Sequence, residues 1–357
     1  MPEGHSVHRI AKQFAANFVG APVNVSSPQG RFIDGAKLLD GQKMVAATAV
    51  GKQMFLQFES ELWLQIHLGI YGAWDFSGEI AVHPDIQIHG FTPGHAKIGQ
   101  TGEHSRTSGA AIAGHGANKA TPANAKASRV AGTGAVDEAA EDSVTSIGAP
   151  RKARVRMAEQ DGSRESSAVW PPEPVGQVRV RLLNERVCAD LRGPTVCKTI
   201  TDEEMAGVLN RLGPDPANNA AESEAVRFIE RAHKKATPIG LVLMDQSVIA
   251  GIGNVYRAEM LFRAGINPHT PAKSLPREVL RELWDDWVKL LDIGIRVGQM
   301  ITVDGLTGAD YQKALVERDA RHWVYKKENT PCGQCGANII LEEFGARKLY
   351  WCPECQK

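Results

Sequence analysis

The sequence predicts an α+β chain in two parts: a strand-rich N-terminal part led by an amphipathic helix, and a helical C-terminal part closed by a four-cysteine hairpin. Three observations predict it. Apolar residues recur at helical spacing from Glu3 to Phe18, and short runs of strand character follow. Beyond Gly213 the pattern becomes helical. Four of the six cysteines then fall in one C-terminal block.

The length of 357 residues accommodates about two domains. Lys plus Arg number 41, as do Asp plus Glu, so global charge neither demands nor excludes a polyanionic partner. Any basic surface must be local. No apolar leader and no apolar run of about 18 residues is present, which predicts a soluble, cytoplasmic protein with no membrane partner.

In the first helix Val7, Ile10, Ala11, Phe14 and Phe18 form one face, and Gly20 supplies a stop. Pro2 stands at its head beside Glu3. Loss of Met1 leaves Pro2 a free secondary amine, a nucleophile with a carboxyl group next to it. The same residues also suit an ordinary helix start. Strands are expected at Val23–Val25, Lys43–Val50, Gln53–Phe58 and Leu62–His67, with Gly51-Lys52 in the tight link between the second and third. The run His67-Leu68-Gly69-Ile70-Tyr71-Gly72 fits either an exposed loop with an apolar tip or a tight turn with a half-buried tyrosine.

From about Ser77 to Gln177 the chain is rich in Ala, Gly, Ser and Thr, with no sustained period. It reads as a disordered insertion whose removal, from 78 to 175, spares activity. Its basic run Arg151–Arg156 reads as solvated charge. Further strands are expected from Val178 to Thr199, then a short helix capped by Thr201 and Glu204. Gly213-Pro214-Asp215-Pro216 reads as a hinge.

Helices follow at Glu222–Lys234, Ile239 to about Asp245, and Arg277–Val297, the last carrying Trp284 and Trp287 as core residues. Between them, Gly251-Ile252-Gly253-Asn254 opens another helix. That arrangement lets backbone approach a phosphate closely, though Gly-Asn before a helix is also common capping. Cys332-x2-Cys335, sixteen residues, and Cys352-x2-Cys355 have the spacing of a zinc ribbon, with a hairpin over Asn338–Trp351. The four thiolates fill a tetrahedral shell, so one Zn2+ per chain is structural and takes no part in chemistry. Cys188 and Cys197 read as ordinary thiols.

Together these residues resemble the formamidopyrimidine-DNA glycosylase / endonuclease VIII family of base-excision repair enzymes. Pro2-Glu3-Gly4, Gly51-Lys52, His67 to Trp74, Gly251 to Glu259 and the terminal ribbon agree in order, over all the chain except about 77–176. The resemblance implies an N-terminal β-sandwich with flanking helices (1–76 and 177–207), the insertion (77–176), a helix-two-turns-helix domain (208–325) and the ribbon (326–357). It implies catalytic roles for Pro2 as nucleophile, Glu3 as acid/base and Lys52. It implies DNA contacts from Asn254, from Arg347 five residues before Cys352, and from Gly69, Ile70 and Tyr71, which would enter the space left by an extruded nucleotide.

The implied activity is that of a bifunctional glycosylase/AP lyase. It removes oxidised bases and cleaves the strand by β,δ-elimination through a Schiff base on Pro2, with damaged DNA as partner and a monomer as the working form. Leu68–Gly72 and Tyr350-Trp351 lean towards endonuclease VIII and hence towards oxidised pyrimidines. The alternative is a non-catalytic damage-binding protein of the same fold. Two departures stand out: His5-Ser6 replaces the pair that usually carries a second Glu, and Gly69 replaces a polar residue.

Overall fold

The computed structural model describes residues 2–87, 145–149 and 170–357. Helix α1 (Gly4–Asn17) buries the expected face, with Ile10 and Phe14 fully enclosed. The strands are β1 (Pro22–Ser26), β2 (Gln42–Val50), β3 (Gln53–Phe58), β4 (Trp63–His67), β5 (Ala73–Gly78), β6 (Ser146–Gly148), β7 (Val178–Leu183), β8 (Val187–Arg192) and β9 (Val196–Ile200), with a short helix α2 (Ile33–Leu39) after β1. They form one antiparallel sheet in the order β6-β5-β8-β7-β1-β2-β3-β4-β9.

β1 is the fold line of this sheet. Pro22 and Val23 pair with β2, whereas Asn24, Val25 and Ser26 pair with β7. The two leaves close on one core, in which the Phe14 ring meets Trp74 at 4.7 Å, Phe76 at 5.2 Å and Phe18 at 5.2 Å. Enclosing a ring of that size stabilises by about 2–3 kcal/mol.

The segment read as an insertion is shorter at both ends than its composition suggests. Ile80, Ile86 and Ile147 are buried, and β6 pairs with β5 through Ala73↔Gly148, Trp74↔Ile147 and Asp75↔Ser146. Asn17 exchanges two hydrogen bonds of 2.8 Å with the backbone of Ala81. Three widely spaced isoleucines do the anchoring, and so sparse a pattern has no period to detect. The basic run Arg151–Arg156 lies outside the described residues.

The second part comprises α3 (Asp202–Leu209), α4 (Glu222–His233), α5 (Ile239–Val242), α6 (Asn254–Arg263), α7 (Arg277–Val297), α8 (Gly308–Val316) and α9 (Arg318–Arg321), then the hairpin β10 (Ile340–Glu343) and β11 (Lys348–Trp351). Thr201 and Glu204 form the expected capping box of α3. Trp284 and Trp287 are buried as expected, against Phe228 and Tyr256.

The expected hinge at 213–216 is instead a packed joint. Gly213 lies so close to Val248 that a Cβ would come within 2.4 Å of its backbone. Pro214 O accepts from Ala250 N at 2.9 Å. The buried Asp215 carboxylate accepts from Gly51 N at 2.5 Å and Ala217 N at 3.0 Å, and pairs with His8 at 2.8 Å. Arg9 of α1 adds a second tie: its Nη1 donates to the carbonyls of Ile295 (2.6 Å) and Arg296 (3.1 Å) in the last turn of α7, where Gln87 N also donates to Arg296 O at 2.8 Å.

Deleting residues 78–175 would therefore remove three buried isoleucines and β6. The deletion should destabilise the protein by more than about 5 kcal/mol, at about 2–5 kcal/mol per buried aliphatic side chain lost. Denaturant unfolding of the shortened chain checks this.

Candidate active site

Glu3 lies at the centre of the site. Helix α6 begins at Asn254 without a side-chain cap of its own, so its first N–H groups need partners. Glu3 provides them from the other end of the sequence. Its carboxylate accepts from Val255 N at 2.8 Å, Gly253 N at 2.9 Å and Tyr256 N at 3.4 Å. The residue is fully buried, and desolvation raises its pKa above the ordinary carboxyl value. The charge of Lys52 and the backbone donors pull the other way without cancelling that rise.

Three backbones meet around this carboxylate, and glycines let them do so. Gly4 N donates to Gly251 O at 2.9 Å, and a Cβ on Gly4 would stand 2.8 Å from the Gly251 Cα. A Cβ on Gly253 would fall 2.4 Å from Glu3 Cδ. Gly51 occupies the two-residue loop between β2 and β3 with φ +57, and its Cβ would meet Ala250 at 2.8 Å. The glycines read as a phosphate cradle permit a further close approach, that of the N-terminal segment and the β2–β3 loop to the turn before α6.

Lys52, next in that loop, is half-buried. Desolvation lowers its pKa, Glu3 opposes the shift, and Arg347 adds to it. The structure therefore brings Pro2, Glu3, Lys52 and Arg347 into one neighbourhood, with Pro2 buried at the head of α1. The state of Met1 lies outside the described residues.

Asn254 is buried at the start of α6. Its amide donates to Lys348 O at 2.7 Å and its Oδ1 accepts from Arg257 at 2.5 Å. Its side chain therefore already bridges α6 to the ribbon hairpin. Arg347 follows the positive-φ pair Gly345-Ala346 in the β10–β11 turn and is exposed. Its carbonyl accepts from Phe344 N at 2.8 Å.

The run after His67 is an exposed loop. β3 and β4 pair through Gln53↔His67, so residues after His67 leave the sheet at the end where Lys52 sits. Ile70 and Tyr71 are 44% and 43% exposed, and Leu68 is buried beneath them. Gly69, with φ +66, fits because a Cβ there would strike Thr195 Oγ1 at 1.8 Å.

Two residues of the site escaped the sequence reading. Arg257 is fully buried one turn after Asn254, and its Nη2 also donates to Lys348 O at 3.1 Å. Desolvation brings its pKa down to about 10, against the opposing pull of Glu3. Its place three residues after Asn254, on the same helix face, was the available signal. Asp215 orients the Gly51-Lys52 loop through Gly51 N, and no local pattern announces that.

The ribbon cysteines converge. The Sγ atoms of Cys332, Cys335, Cys352 and Cys355 lie within 4.8 Å of one another, with Cys335–Cys352 at 3.4 Å and Cys332–Cys355 at 3.8 Å. A tetrahedral zinc at about 2.3 Å from each sulfur requires edges of about 3.8 Å, so the donor set fits such an ion. The ribbon packs on α6 through Phe262, Ile339, Tyr350 and Cys352. The Glu259 carboxylate accepts from Trp323, Val324 and Tyr325 N at 2.7–2.9 Å and fixes the strand of chain leading into it. No helix among the described residues is long and apolar enough to cross a membrane.

Family models for the formamidopyrimidine-DNA glycosylase N-terminal domain and for its H2TH domain match residues 1–107 and 212–304. Endonuclease 8 1 of Mycobacterium tuberculosis is 34% identical over 356 residues, covering 100% of both chains. The formamidopyrimidine-DNA glycosylase of Neisseria meningitidis is 35% identical over 155 residues, 43% of this chain and 54% of that one. Among solved structures, a Lactococcus lactis FPG (MutM) complex with FAPY-dG containing DNA matches with a TM-score of 0.61 at 15% identity, over 99% of both chains. The MutM (FPG) protein of Thermus thermophilus matches with a TM-score of 0.58 at 20% identity, over 99% of this chain and 98% of that one. At these identities the structures speak for the fold, a sheet domain joined to a helical one.

Gly253→Ala should push the Glu3 carboxyl group off its three donors and destabilise the fold by about 1.5–4.5 kcal/mol, at about 0.5–1.5 kcal/mol for each hydrogen bond lost. Unfolding in urea beside wild type measures it.

Proposed function

The chain belongs to the formamidopyrimidine-DNA glycosylase / endonuclease VIII family of base-excision repair enzymes, and from that premise we propose a bifunctional DNA glycosylase/AP lyase acting on oxidised bases, pyrimidines above all. The observation that carries the proposal is the buried Glu3 carboxyl group, with its raised pKa, beside Pro2 and Lys52. The pyrimidine preference rests on the full-length likeness to an endonuclease 8 and on the Leu68–Gly72 loop.

The chemistry follows from those groups. With Met1 removed, the Pro2 nitrogen is a secondary amine, and an α-amine of pKa about 7.7–8.0 retains a neutral fraction at working pH. The nitrogen attacks C1′ of an extruded nucleotide, whose exposure costs a few kcal/mol. Glu3, holding its proton to higher pH than an ordinary carboxyl, delivers it to the ring oxygen as the sugar opens. The base departs and a cationic iminium joins Pro2 to C1′. That cation acidifies C2′; loss of the proton there expels the 3′ phosphate, and loss of the C4′ proton then expels the 5′ phosphate.

Lys52, Asn254 and Arg347 hold phosphates around the lesion, Asn254 by exchanging its Lys348 contact for one to DNA. Ile70 and Tyr71, presented by the Gly69 turn, fill the space the nucleotide leaves. The protein works as a monomer on DNA in the cytoplasm. The four cysteines hold one structural Zn2+, which keeps the hairpin carrying Arg347 folded.

Borohydride reduction of a reaction on an abasic-site duplex should trap a covalent adduct that mass spectrometry maps to the Pro2 nitrogen. Glu3→Gln should lower base excision by about 10²–10⁴-fold while leaving duplex binding nearly intact. Undiminished excision by that variant, or an adduct on another residue, overturns the assignment. Absence of any adduct from Met1-free protein favours a binder without chemistry.

Chelation of the metal, or Cys335→Ser, should weaken binding to the same duplex by about tenfold or more. That is the loss expected when one charged phosphate contact is removed. Elemental analysis should give one zinc per chain.

A further inference from the structure

Away from Glu3, one cavity gathers charge of a single sign. Arg211, Arg231, Lys234 and Lys235 line an opening of about 330 Å3 together with Ser247 and Val248. Arg231 is fixed in place, because its Nη1 donates to Leu212 O at 3.1 Å and Ser247 O at 2.5 Å. Lys235 faces Asp245 at 3.4 Å, and that carboxylate also accepts from Ser247 N (3.0 Å) and Oγ (2.6 Å). Arg211 and Lys234 are exposed and form no ion pair among the described residues. Asp245 is engaged by Lys235 and Ser247, and Glu230, which feels the charge of Lys234, is committed to Arg277, so the four cations outweigh the acids around them; a fixed guanidinium beside the exposed Lys234 ammonium suits a phosphate oxygen.

The place of the cavity says which phosphate. Its wall at Ser247 belongs to the same turn that ends at Gly253 on the Glu3 carboxylate. Gln246 braces that turn, accepting from Gly251 N at 2.9 Å and donating to Ile252 O at 3.0 Å. The six residue steps from Ser247 to Gly253 span at most about 22 Å. At a duplex rise of about 3.4 Å per base pair, that separation corresponds to no more than about six base pairs.

We propose that the Arg211–Arg231–Lys234–Lys235 cavity is a second backbone-phosphate subsite, which takes the duplex flanking the lesion within about six base pairs. The inference rests on the DNA-repair reading above. The subsite touches no base, so it adds affinity and register without adding sequence preference.

The test compares wild type with Arg211→Ala/Lys234→Ala, both zinc-loaded, by anisotropy on duplexes carrying a stable abasic-site analogue, across a salt series. On a duplex with long flanks, the double variant should bind about 5–20-fold more weakly at low salt. Its salt slope should flatten by about one to two, at about 0.9 per phosphate contact. Single-turnover excision at saturating enzyme should be unchanged.

Arg211→Lys/Lys234→Arg should restore the long-duplex affinity. Equal affinity and slope on the long duplex overturn the subsite, provided wild type excises its lesion. A wild-type protein that neither retains the abasic duplex nor excises a base refutes the functional reading, and the subsite with it.

Discussion

The site depends on one carboxylate docked on one helix end. Glu3 and the N–H groups of Gly253, Val255 and Tyr256 are about 250 residues apart in sequence, yet each needs the other. Without Glu3 the start of α6 is a buried row of unsatisfied donors; without α6 the carboxylate is buried with too few partners. The arrangement therefore exists only when the sheet and the helical part have both folded and closed on each other. Asp215 and Arg9 reinforce that closure from either side, the first through the β2–β3 loop and the second through the end of α7.

The balance at Glu3 decides its chemistry. Backbone donors and Lys52 favour the anion, whereas complete burial disfavours it, and burial wins. A carboxyl group at a helix N-terminus ordinarily has its anion favoured; here burial shifts the balance towards the protonated form. Its folded-state pKa is raised, so its ionisation weakens the fold. The stabilisation available while it is protonated is fully present below the ordinary carboxyl pKa and declines as pH rises through the raised value.

Much of this was legible in the residues, and the reason is locality. The α1 stripe, the strands β2 and β3, the capping box at Thr201, the two tryptophans of α7 and the paired Cys-x2-Cys turns each carry a signal within a few residues. What escaped was non-local. The Gly213–Pro216 segment has the composition of a hinge but is packed against His8, Gly51 and Ala250, none of them near it in sequence. Gly251 and Gly253 look like a phosphate turn, yet Gly251 packs against Trp287 and Gly4, and Gly253 against Glu3. Ile80 and Ile147 sit in stretches too polar to suggest a core, and β6 is only three residues long.

Net charge was the least informative quantity, and the structure explains why. The cations that matter are concentrated and partly desolvated: Lys52 and Arg257 each have a lowered pKa, in each case through desolvation first and the nearby Arg347 charge as well. Such a group is unfavourable in isolation, since burial and mutual repulsion act together, opposed by Glu3 and, at Arg257, by Glu342 as well. An incoming polyanion relieves both. A chain of zero net charge can in this way concentrate cations in one neighbourhood while other acids and bases pair with each other, as Arg281 does with Glu222 and Arg263 with Asp286.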